Sequence, residues 1–368
     1  MQQTDPSHLP REKTIGILGG GQLGRMLAMA AGRMGFFTIV LDPAVPCPAA
    51  QFTNRHIIAQ YDDKHALETL ANLCFVATYE FENIPVTSAL ILQDKCRIYP
   101  GAKALETSQD RLVEKNFIQA TGLSTTKFMP VSDRRELNNA VQSIGPSAIL
   151  KTRRFGYDGK GQVRIDSSVP TDSNEKIDAQ IDMMLKSECI LERMIDFDCE
   201  ISIIGGRDTA GNTACFDPAR NTHKNGILVQ SQVPSDVAGE IAEMARDQTE
   251  ILMQNLDYVG VLGVEFFVTK SGNLLINEFA PRVHNSGHWT EAACLISQFE
   301  QHIRAITGQS LGLPYRHSDC LMQNLIGDSI NDISKYANID NTLVHDYGKL
   351  EIRAGRKMGH ITTITARN

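Results

Sequence analysis

Residues 261–268 read Val-Leu-Gly-Val-Glu-Phe-Phe-Val and residues 274–279 read Leu-Leu-Ile-Asn-Glu-Phe, and both stretches predict β-strands. Between them, Ser271-Gly272 is a two-residue hairpin signal. A turn of that length sets Glu265 directly opposite Glu278 on one face of the sheet. Facing carboxylates repel each other unless a cation neutralises them, and Mg²⁺ shared with nucleotide phosphates is the natural one. The hairpin therefore predicts a platform for a magnesium-bound nucleotide.

The second strand runs into an unusually polar stretch, residues 277–290, which reads Asn-Glu-Phe-Ala-Pro-Arg-Val-His-Asn-Ser-Gly-His-Trp-Thr. A carboxylate, an arginine, two histidines and an asparagine this close together are seldom needed for stability alone. The stretch leads away from the facing carboxylates and predicts a polar pocket beside them.

Composition bounds the class of protein. With 368 residues, 42% of them hydrophobic and 21% charged, the chain can hold two or three globular domains. A net charge of -7 argues against a dedicated nucleic-acid binder. The eight cysteines form no Cys-x-x-Cys pair and no apolar run reaches the ~18 residues of a membrane span, which predicts reduced thiols and no membrane insertion. Residues 1–13 are polar and predict a disordered leader rather than a signal peptide, so we expect a cytoplasmic protein.

The N-terminal part predicts a βαβ unit of an open parallel sheet, with a strand at 14–18, a glycine turn, a helix at 25–34 and a strand at 37–42. The turn, Gly19-x-Gly21-x-x-Gly24, matches the dinucleotide fingerprint, with Asp42 following. The motif alone leaves three interpretations open: an NAD(P) site, a site for another phosphorylated ligand at the helix N-terminus, or merely a tight turn. In either ligand site, Gln22 is placed to contact what binds.

From Lys127 onward the pattern changes to strands joined by hairpin turns, an α+β texture with a second glycine loop. That loop, Lys151-Thr-Arg-Arg-Phe-Gly-Tyr-Asp-Gly-Lys-Gly-Gln162, lies between two predicted strands and suits folding over a triphosphate. A basic surface hairpin is the alternative. Tyr157 and Asp158 at the tip are unusual in a phosphate clamp and suggest contact with a second substrate.

Other candidate residues are ambiguous when taken singly. Glu192 to Ile195 read as a strand end, Glu200 lies on an alternating strand, and His223 lies in a polar loop. Four cations cluster near the C-terminus and suit either a solvated face or a phosphomonoester site: Lys349, Arg353, Arg356 and Lys357.

The order of these motifs resembles the ATP-grasp superfamily and, within it, the N5-carboxyaminoimidazole ribonucleotide synthetase family. The resemblance runs from about Ile15 to His360, and Gly-Gln-Leu-Gly-Arg-Met at 21–26 and His-Asn-Ser-Gly-His at 284–288 are its specific motifs. It implies α/β and α+β architecture after the leader: a Rossmann-like pre-ATP-grasp domain at 14–112, an ATP-grasp domain at 113–307 and a small β-rich domain at 308–368.

The resemblance also implies a set of site residues. Nucleotide contacts are implied for Arg111, Lys151, Gly156, Tyr157, Asp158, Gly159, Lys160, Gly161, Gln162, Glu192, Arg193, Met194, Ile195, Glu200, His223, Asn277 and Glu278. Contacts to 5-aminoimidazole ribonucleotide are implied for Gln22, Leu23, Glu80, Asn83, Tyr157, Asp158, Lys349, Arg353, Arg356 and Lys357. Glu265 and Glu278 are the implied magnesium ligands, and Arg282, His284 and Asn285 surround bicarbonate, while Asp158 orients or deprotonates the reacting amine. Ala280 stands where many ATP-grasp enzymes have an asparagine metal ligand.

The activity implied is carboxylation of 5-aminoimidazole ribonucleotide with ATP and bicarbonate through carboxyphosphate, in purine biosynthesis, with two Mg²⁺ ions and a homodimeric enzyme. A related ligase, such as formate-dependent glycinamide ribonucleotide transformylase, is the alternative, and the 284–288 motif favours the carboxylase. An NAD(P)-dependent oxidoreductase would leave the second glycine loop and the facing glutamates unexplained. A catalytically silent nucleotide-binding protein stays possible on sequence alone.

Overall fold

A computed structural model of the chain describes residues 9–156, 159–166 and 175–367. The predictions for Tyr157 and Asp158, and most of the loop predicted at 167–175, lie outside the described residues. Three sheets organise the rest of the chain.

The first sheet is parallel throughout, with strand order β3-β2-β1-β4-β5, and it confirms the Rossmann-like prediction. Its strands are β1 Thr14–Leu18, β2 Phe37–Leu41, β3 Arg55–Ile57, β4 Val76–Tyr79 and β5 Arg97–Ile98. Its helices are α1 Gln22–Arg33, α2 Lys64–Leu73, α3 Val86–Gln93 and α4 Ala102–Gln109, with short 3₁₀ turns at Arg11–Lys13 and Pro48–Gln51. All five residues of β1 are buried, as expected for a central strand covered on both faces. The 3₁₀ turn Arg11–Lys13 lies within the segment predicted to be a disordered leader.

The second sheet is antiparallel, in the order β6-β9-β7-β8. Its strands are β6 Phe128–Val131, β7 Ser147–Thr152, β8 Gln162–Asp166 and β9 Cys189–Arg193, and the helices of this region are α5 Arg111–Ala120, α6 Arg134–Ile144 and α7 Glu175–Met184. Lys151 pairs with Gln162. The second glycine loop therefore connects β7 to β8 at the end of the sheet, as predicted.

The third sheet has nine strands, in the order β15-β14-β10-β12-β13-β16-β18-β17 with β11 paired to β10. The strands are β10 Phe197–Arg207, β11 Thr213–Cys215, β12 Ala219–Lys224, β13 Ile227–Val233, β14 Gly260–Thr269, β15 Leu274–Ala280, β16 Ser318–Ile326, β17 Thr342–Asp346 and β18 Lys357–Ala366. The helices are α8 Gly239–Asn255, α9 Thr290–Ala293, α10 Gln298–Ile306 and α11 Ile333–Tyr336, with 3₁₀ turns at Asn285–Gly287 and Gly327–Asp332. Because β13 pairs with β16, the β-rich C-terminal segment extends the sheet that carries the hairpin.

The hairpin of β14 and β15 differs from the prediction at its turn. The turn contains three residues instead of two, and it is closed by a hydrogen bond of 2.9 Å from the Thr269 N–H to the Asn273 carbonyl. Within the turn, Gly272 has a φ of 80°. The longer turn shifts the pairing by one residue, and a β-bulge next to Glu265 shifts it back. The predicted two-residue turn is therefore wrong, while the predicted facing of Glu265 and Glu278 is confirmed, because the two shifts cancel.

Packing of α1 against α10 joins the first sheet to the third. Met26 and Leu27 of α1 belong to the same buried apolar cluster as Trp289, Phe299 and Ile303. All eight cysteines are free thiols. Among the described residues, none of the helices combines the length and apolar character that crossing a bilayer requires.

Candidate active site

The facing glutamates line a polar pocket and differ in their partners. Arg111, at the start of α5, donates from Nη1 to Glu278 Oε2 at 2.7 Å. Burial would raise the pKa of Glu278, but the charges of Arg111 and Lys151 outweigh burial and hold that pKa at about 2. At Glu265, burial and the Glu278 charge outweigh the opposing charges of His223 and Lys357 and raise the pKa to about 7. Two facing carboxylates, only one of which is paired with an arginine, are a donor set that suits Mg²⁺.

A second buried carboxylate, Glu192 at the end of β9, lies between two lysines. Lys151 Nζ is 3.1 Å and Lys115 Nζ is 3.3 Å from Glu192 Oε2. Burial opposes ionisation, yet Lys115, Lys151 and Arg111 together lower the pKa of Glu192 to about 2. The cluster presents a net positive charge beside the glutamate pair, as an anionic phosphate chain requires. Lys115 was missed by sequence reasoning, although it follows Arg111 by four residues and so shares its helix face.

The Glu192→Gln variant is expected to lose about 3–5 kcal/mol of unfolding free energy at neutral pH, because both lysines are left without a buried counter-charge. The folded pKa of about 2 lies below the unfolded value of about 4.3, so this stabilisation is present above pH ~5 and is lost as pH falls through the folded pKa. Urea unfolding of wild type and variant, at neutral pH and near pH 3, measures the effect. A gap between the two proteins that does not narrow in acid would contradict it.

The second glycine loop reaches from the second sheet to the hairpin of β12 and β13. Gly159 has a φ of 77°, and a Cβ there would lie 2.6 Å from the carbonyl oxygen of Asn225. Gly161 has a φ of 69°, and its Cβ would lie 2.7 Å from Thr152 Oγ1. Both positions therefore require glycine, and the close approach at Asn225 brings the loop against the opposite sheet. Gly156 accepts from Arg111 Nη2 at 3.4 Å, whereas Lys160 and Gln162 are exposed.

Further predicted nucleotide residues lie on both sheets. His223 Nδ1 forms a short hydrogen bond with Glu200 Oε2. Burial lowers the pKa of His223, but this bond and the charges of Glu265 and Glu200 raise it overall. Glu200 and Asn277 border a small cleft with Glu265. Asn277 is the extra residue of the β-bulge, and its buried Oδ1 has no hydrogen-bond partner within the described ranges of the chain. On the second sheet, the side chains of Arg193 and Met194 are exposed and Ile195 is half-buried.

The polar pocket continues from the glutamates to Arg282 and His284. Arg282 Nε donates to Glu82 Oε2 at 2.5 Å. His284 Nε2 lies 3.6 Å from Glu265 Oε1. Burial, Arg282 and Lys357 lower the pKa of His284 to about 3, so its imidazole is neutral at physiological pH. The pocket thus combines a fixed guanidinium with a neutral imidazole, next to the facing carboxylates.

Asn285 is not among the residues that line this pocket. Its side-chain amide forms two hydrogen bonds with the amide of Asn324 of β16. Asn285 Nδ2 donates to Asn324 Oδ1 at 3.0 Å, and Asn324 Nδ2 donates to Asn285 Oδ1 at 2.7 Å. Asn324 Nδ2 also donates to the carbonyl of Leu228 at 2.9 Å. Asn285 is therefore close to Arg282 and His284 along the chain, but its side chain does not line the polar pocket with theirs. It connects the 3₁₀ turn to the C-terminal strands instead.

Replacing Asn324 with Ala is expected to destabilise the fold by about 1–3 kcal/mol, because the buried Asn285 amide loses both of its hydrogen bonds to Asn324. Chemical denaturation gives the difference. Gln323, the exposed neighbour on the same strand, provides the matched control as Gln323→Ala. Equal stability of the two variants would show that the amide pair does not hold the turn.

The first glycine turn is occupied by carboxylates of its own chain. Glu80 accepts from the N–H groups of Gly21 at 2.5 Å and Gly24 at 2.7 Å. Asp42 accepts from the Gly20 N–H at 2.6 Å. These are the amides and the acidic residue that a dinucleotide would use. The turn therefore fits the interpretation of a tight turn, and α1 begins at Gln22, a turn earlier than predicted, because Glu80 satisfies its first amides.

The remaining residues predicted to contact the ribonucleotide differ in how exposed their side chains are. Leu23 is 7% exposed and packs in the core with α1, so its side chain does not face a ligand. Gln22 is half-buried, and Asn83 lines the polar pocket. Glu80 is 8% exposed, and the turn amides use both of its carboxylate oxygens. The structure thus does not support direct contact between Leu23 and a substrate. Glu80 stabilises the first glycine turn through its two hydrogen bonds.

The C-terminal cations divide into two groups. Lys349 donates to the carbonyl of Lys357 at 2.6 Å, and its charge opposes the burial that raises the pKa of Glu80. Lys357 acts on the other side, where it helps to lower the pKa of His284 after burial and Arg282. Arg353 and Arg356 lie at an exposed turn and bond to Glu351. The two lysines are joined by a hydrogen bond, and their charges act on Glu80 and on His284, respectively.

Comparison with known proteins identifies this arrangement. The chain matches, in succession, a ribonucleotide synthetase preATP-grasp domain over residues 12–109, an ATP-grasp domain over 116–299 and a phosphoribosylaminoimidazole carboxylase C-terminal domain over 320–368. It is 53% identical over 363 residues to the N5-carboxyaminoimidazole ribonucleotide synthase of Brucella melitensis biotype 1, and 99% of each chain is covered. The chain belongs to the N5-carboxyaminoimidazole ribonucleotide synthase family.

Solved structures of the N5-carboxyaminoimidazole ribonucleotide synthase family share the fold. An N5-carboxyaminoimidazole synthetase from Staphylococcus aureus, complexed with ADP, is 37% identical with a TM-score of 0.90, covering 96% of this chain and 93% of that one. An N5-carboxyaminoimidazole synthase from Aspergillus clavatus, in complex with ADP and 5-aminoimidazole ribonucleotide, is 26% identical with a TM-score of 0.89, covering 97% and 94%. Family membership confirms the predicted fold class and the ATP-grasp ligase assignment. It favours the carboxylase over the oxidoreductase and the transformylase alternatives.

Proposed function

We propose that this chain carboxylates 5-aminoimidazole ribonucleotide with ATP and bicarbonate, through carboxyphosphate, as a step of purine biosynthesis. The observation that carries the proposal is one polar pocket that contains the facing Glu265 and Glu278, together with Arg282 and His284. A phosphate-transfer site and a small-anion site in the same pocket are what formation of carboxyphosphate requires.

The nucleotide binds between the second and third sheets in this proposal. The positive cluster of Arg111, Lys115 and Lys151 around Glu192 attracts the phosphate chain. The glycine loop between β7 and β8 covers the phosphates and excludes water, which would otherwise hydrolyse carboxyphosphate. Glu200 with His223, Asn277 and the strand end at 192–195 contact the rest of the nucleotide.

Glu265 and Glu278 would hold two Mg²⁺ ions, and the metal would neutralise charge on the transferred phosphoryl group. Arg282 holds bicarbonate and stabilises the negative charge that develops as its oxygen attacks the γ-phosphate of ATP. The neutral His284 imidazole is able to accept a hydrogen bond or a proton from bicarbonate. ADP leaves, and carboxyphosphate remains between Arg282 and the ribonucleotide.

The ribonucleotide amine then attacks carboxyphosphate, or the CO₂ released from it, and phosphate leaves. Asp158 orients the amine or removes its proton, and Tyr157 contacts the same substrate. Lys349, Lys357, Arg353 and Arg356 bind the 5′-phosphate of the ribonucleotide. Gln22 and Asn83 close this end of the site, while Glu80 acts through the turn that it holds.

Three broader features belong to the proposal. The family matches end and begin near the proposed domain boundaries at 112/113 and 307/308 and so support them. We infer a homodimeric enzyme, as the family resemblance implies, and we expect it to work in the cytoplasm. Assembly is measured directly by light scattering of the purified protein, and a monomer at all concentrations would contradict the dimer.

Phosphate release from ATP in the presence of bicarbonate, with and without 5-aminoimidazole ribonucleotide, tests the proposed function. Release that depends on the ribonucleotide, with ADP as the co-product, is the expected result. Stimulation by formate and glycinamide ribonucleotide in its place would assign the chain to a different ATP-grasp reaction. Absence of turnover with either pair would contradict an active ligase.

A further inference from the structure

Three potential metal ligands meet outside the polar pocket. His345 of β17 and His360 of β18 are directly opposite each other in the sheet, and their rings stack with centroids 5.1 Å apart and planes 17° apart. Glu291 of α9 approaches from the side, with Oε2 at 3.4 Å from His345 Nδ1. One ligand atom from each residue lies within 4.8 Å of the other two. The proposed carboxylation uses none of the three residues.

Polar atoms of this cluster lack hydrogen-bond partners. His360 is 1% exposed, and its Nε2 has no hydrogen-bond partner among the described residues. Glu291 Oε2 also lacks a hydrogen bond in that part of the chain, and its 3.4 Å approach to His345 Nδ1 is a close contact only. The adjacent His288 is fully buried, its ring lies 4.9 Å from that of His360, and its Nε2 is likewise unpaired. Buried polar atoms without partners cost about 1–3 kcal/mol each, so such a concentration calls for an ion or for water molecules.

The orientation of His360 favours an ion. Its Nδ1 lies 2.9 Å from the Tyr347 hydroxyl. With the proton on Nδ1, the tyrosine oxygen accepts it and Nε2 keeps a free lone pair. Histidine ligands of metals are commonly oriented in this way by a partner at the other ring nitrogen.

We propose that Glu291, His345 and His360 form a binding site for a divalent transition-metal ion, with Zn²⁺ as the best match. Two imidazoles and one carboxylate are a donor set of zinc sites, in which water takes the fourth position. Mg²⁺ and Ca²⁺ prefer oxygen donors throughout, so the glutamate pair of the polar pocket suits Mg²⁺ and this cluster does not.

Binding requires a small contraction of the cluster. Zinc bonds of about 2.0–2.1 Å in tetrahedral geometry hold the ligand atoms about 3.3 Å apart. In the structure, the three ligand atoms lie within 4.8 Å of one another. The side chains of Glu291 and His345 are 22% and 12% exposed, which gives the ion a path from solvent and gives these two residues room to rotate.

The ion would fasten two parts of the chain that border the polar pocket. Glu291 lies a few residues after His284, and β18, which carries His360, begins with Lys357. A metal that bridges α9 to the β17–β18 hairpin would therefore fix His284 relative to Lys357. The role is structural, and the site takes no part in the chemistry.

Zinc titration of the full-length protein tests the proposal. The protein is first stripped with a chelator and then titrated with Zn²⁺ by calorimetry, in excess Mg²⁺ to fill oxygen-donor sites. His345→Ala and Glu291→Gln are the test variants, and His317→Ala, at an exposed histidine outside the cluster, is the matched control. Circular dichroism verifies that each variant is folded, and Glu291→Gln, which keeps size and polarity, serves if the alanine variant is not.

One tight equivalent of Zn²⁺ is expected for the wild type and for His317→Ala, and that equivalent should be lost in both test variants. Anomalous diffraction at the zinc edge should place the ion between the three ligands. Equal zinc binding by all four proteins, absence of tight binding by the wild type, or an anomalous peak elsewhere with only water in the cluster would overturn the proposal.

Discussion

The Arg282→Ala variant is expected to lose carboxylation almost completely, with a fall in kcat of at least about 10²–10³-fold, the cost of removing a preorganised group that stabilises a developing anion. Arg282 lies in the polar pocket and is held by Glu82 at 2.5 Å. Burial would lower the pKa of Arg282, but the Glu82 charge raises it, so the guanidinium stays charged. Phosphate release that depends on 5-aminoimidazole ribonucleotide measures the loss.

A distant arginine controls for the general effect of removing a paired guanidinium. Arg246 donates to Asp217 at 2.9 Å and to Glu243 at 2.7 Å, and it is not among the residues that line the polar pocket. Arg246→Ala should therefore keep its turnover. Turnover like that of the wild type in Arg282→Ala would remove this arginine from the mechanism.

The Glu278→Gln variant is expected to lose turnover on the order of 10³-fold, because metal-assisted charge stabilisation is worth several kcal/mol. The substitution removes one of the two facing carboxylates and also the partner of Arg111. Turnover measured over a range of Mg²⁺ concentrations should show that the variant needs more Mg²⁺ and stays slow when saturated. A variant that regains full turnover at high Mg²⁺ would show that Glu278 contributes affinity alone.

Glu114 provides a matched control in the same pocket. Burial and the Glu278 charge raise the pKa of Glu114 to about 8, so its carboxyl is mostly protonated at neutral pH. Its Oε1 accepts the Phe279 N–H at 2.7 Å, a bond that glutamine is able to keep. Glu114→Gln should therefore be nearly as active as the wild type. An equal loss in both variants would indicate that any neutral side chain at this wall disrupts the pocket.

The hairpin shows why part of the site was predictable from sequence. Alternation along a strand and turn chemistry are local properties, and they place Glu265 and Glu278 on one face before any tertiary contact is known. The prediction used a turn one residue too short, and the face was still correct because the bulge at Asn277 compensates. A bulge has no reliable signal in one sequence, so its effect on Asn277 became visible only in the structure.

The first glycine turn shows the opposite case. Its sequence matches a dinucleotide fingerprint, yet Glu80 and Asp42 occupy the amides that would bind phosphate. Glu80 comes from the end of another strand, 59 residues after Gly21. Whether a glycine turn at a helix N-terminus binds a ligand or a carboxylate of its own chain depends on that long-range neighbour, which the motif does not contain.

The sequence by itself determined the strand pattern, both glycine loops, the facing glutamates and the family of the chain, because each depends on residues close together along it. The tertiary structure decided which distant groups meet. Arg282 pairs with Glu82 across 200 positions, and Asn285 pairs with Asn324 across 39. Lys115 approaches Glu192 from another element. Such pairs are set by how helices and sheets pack, since burial makes each charge or amide find a partner wherever the fold brings one.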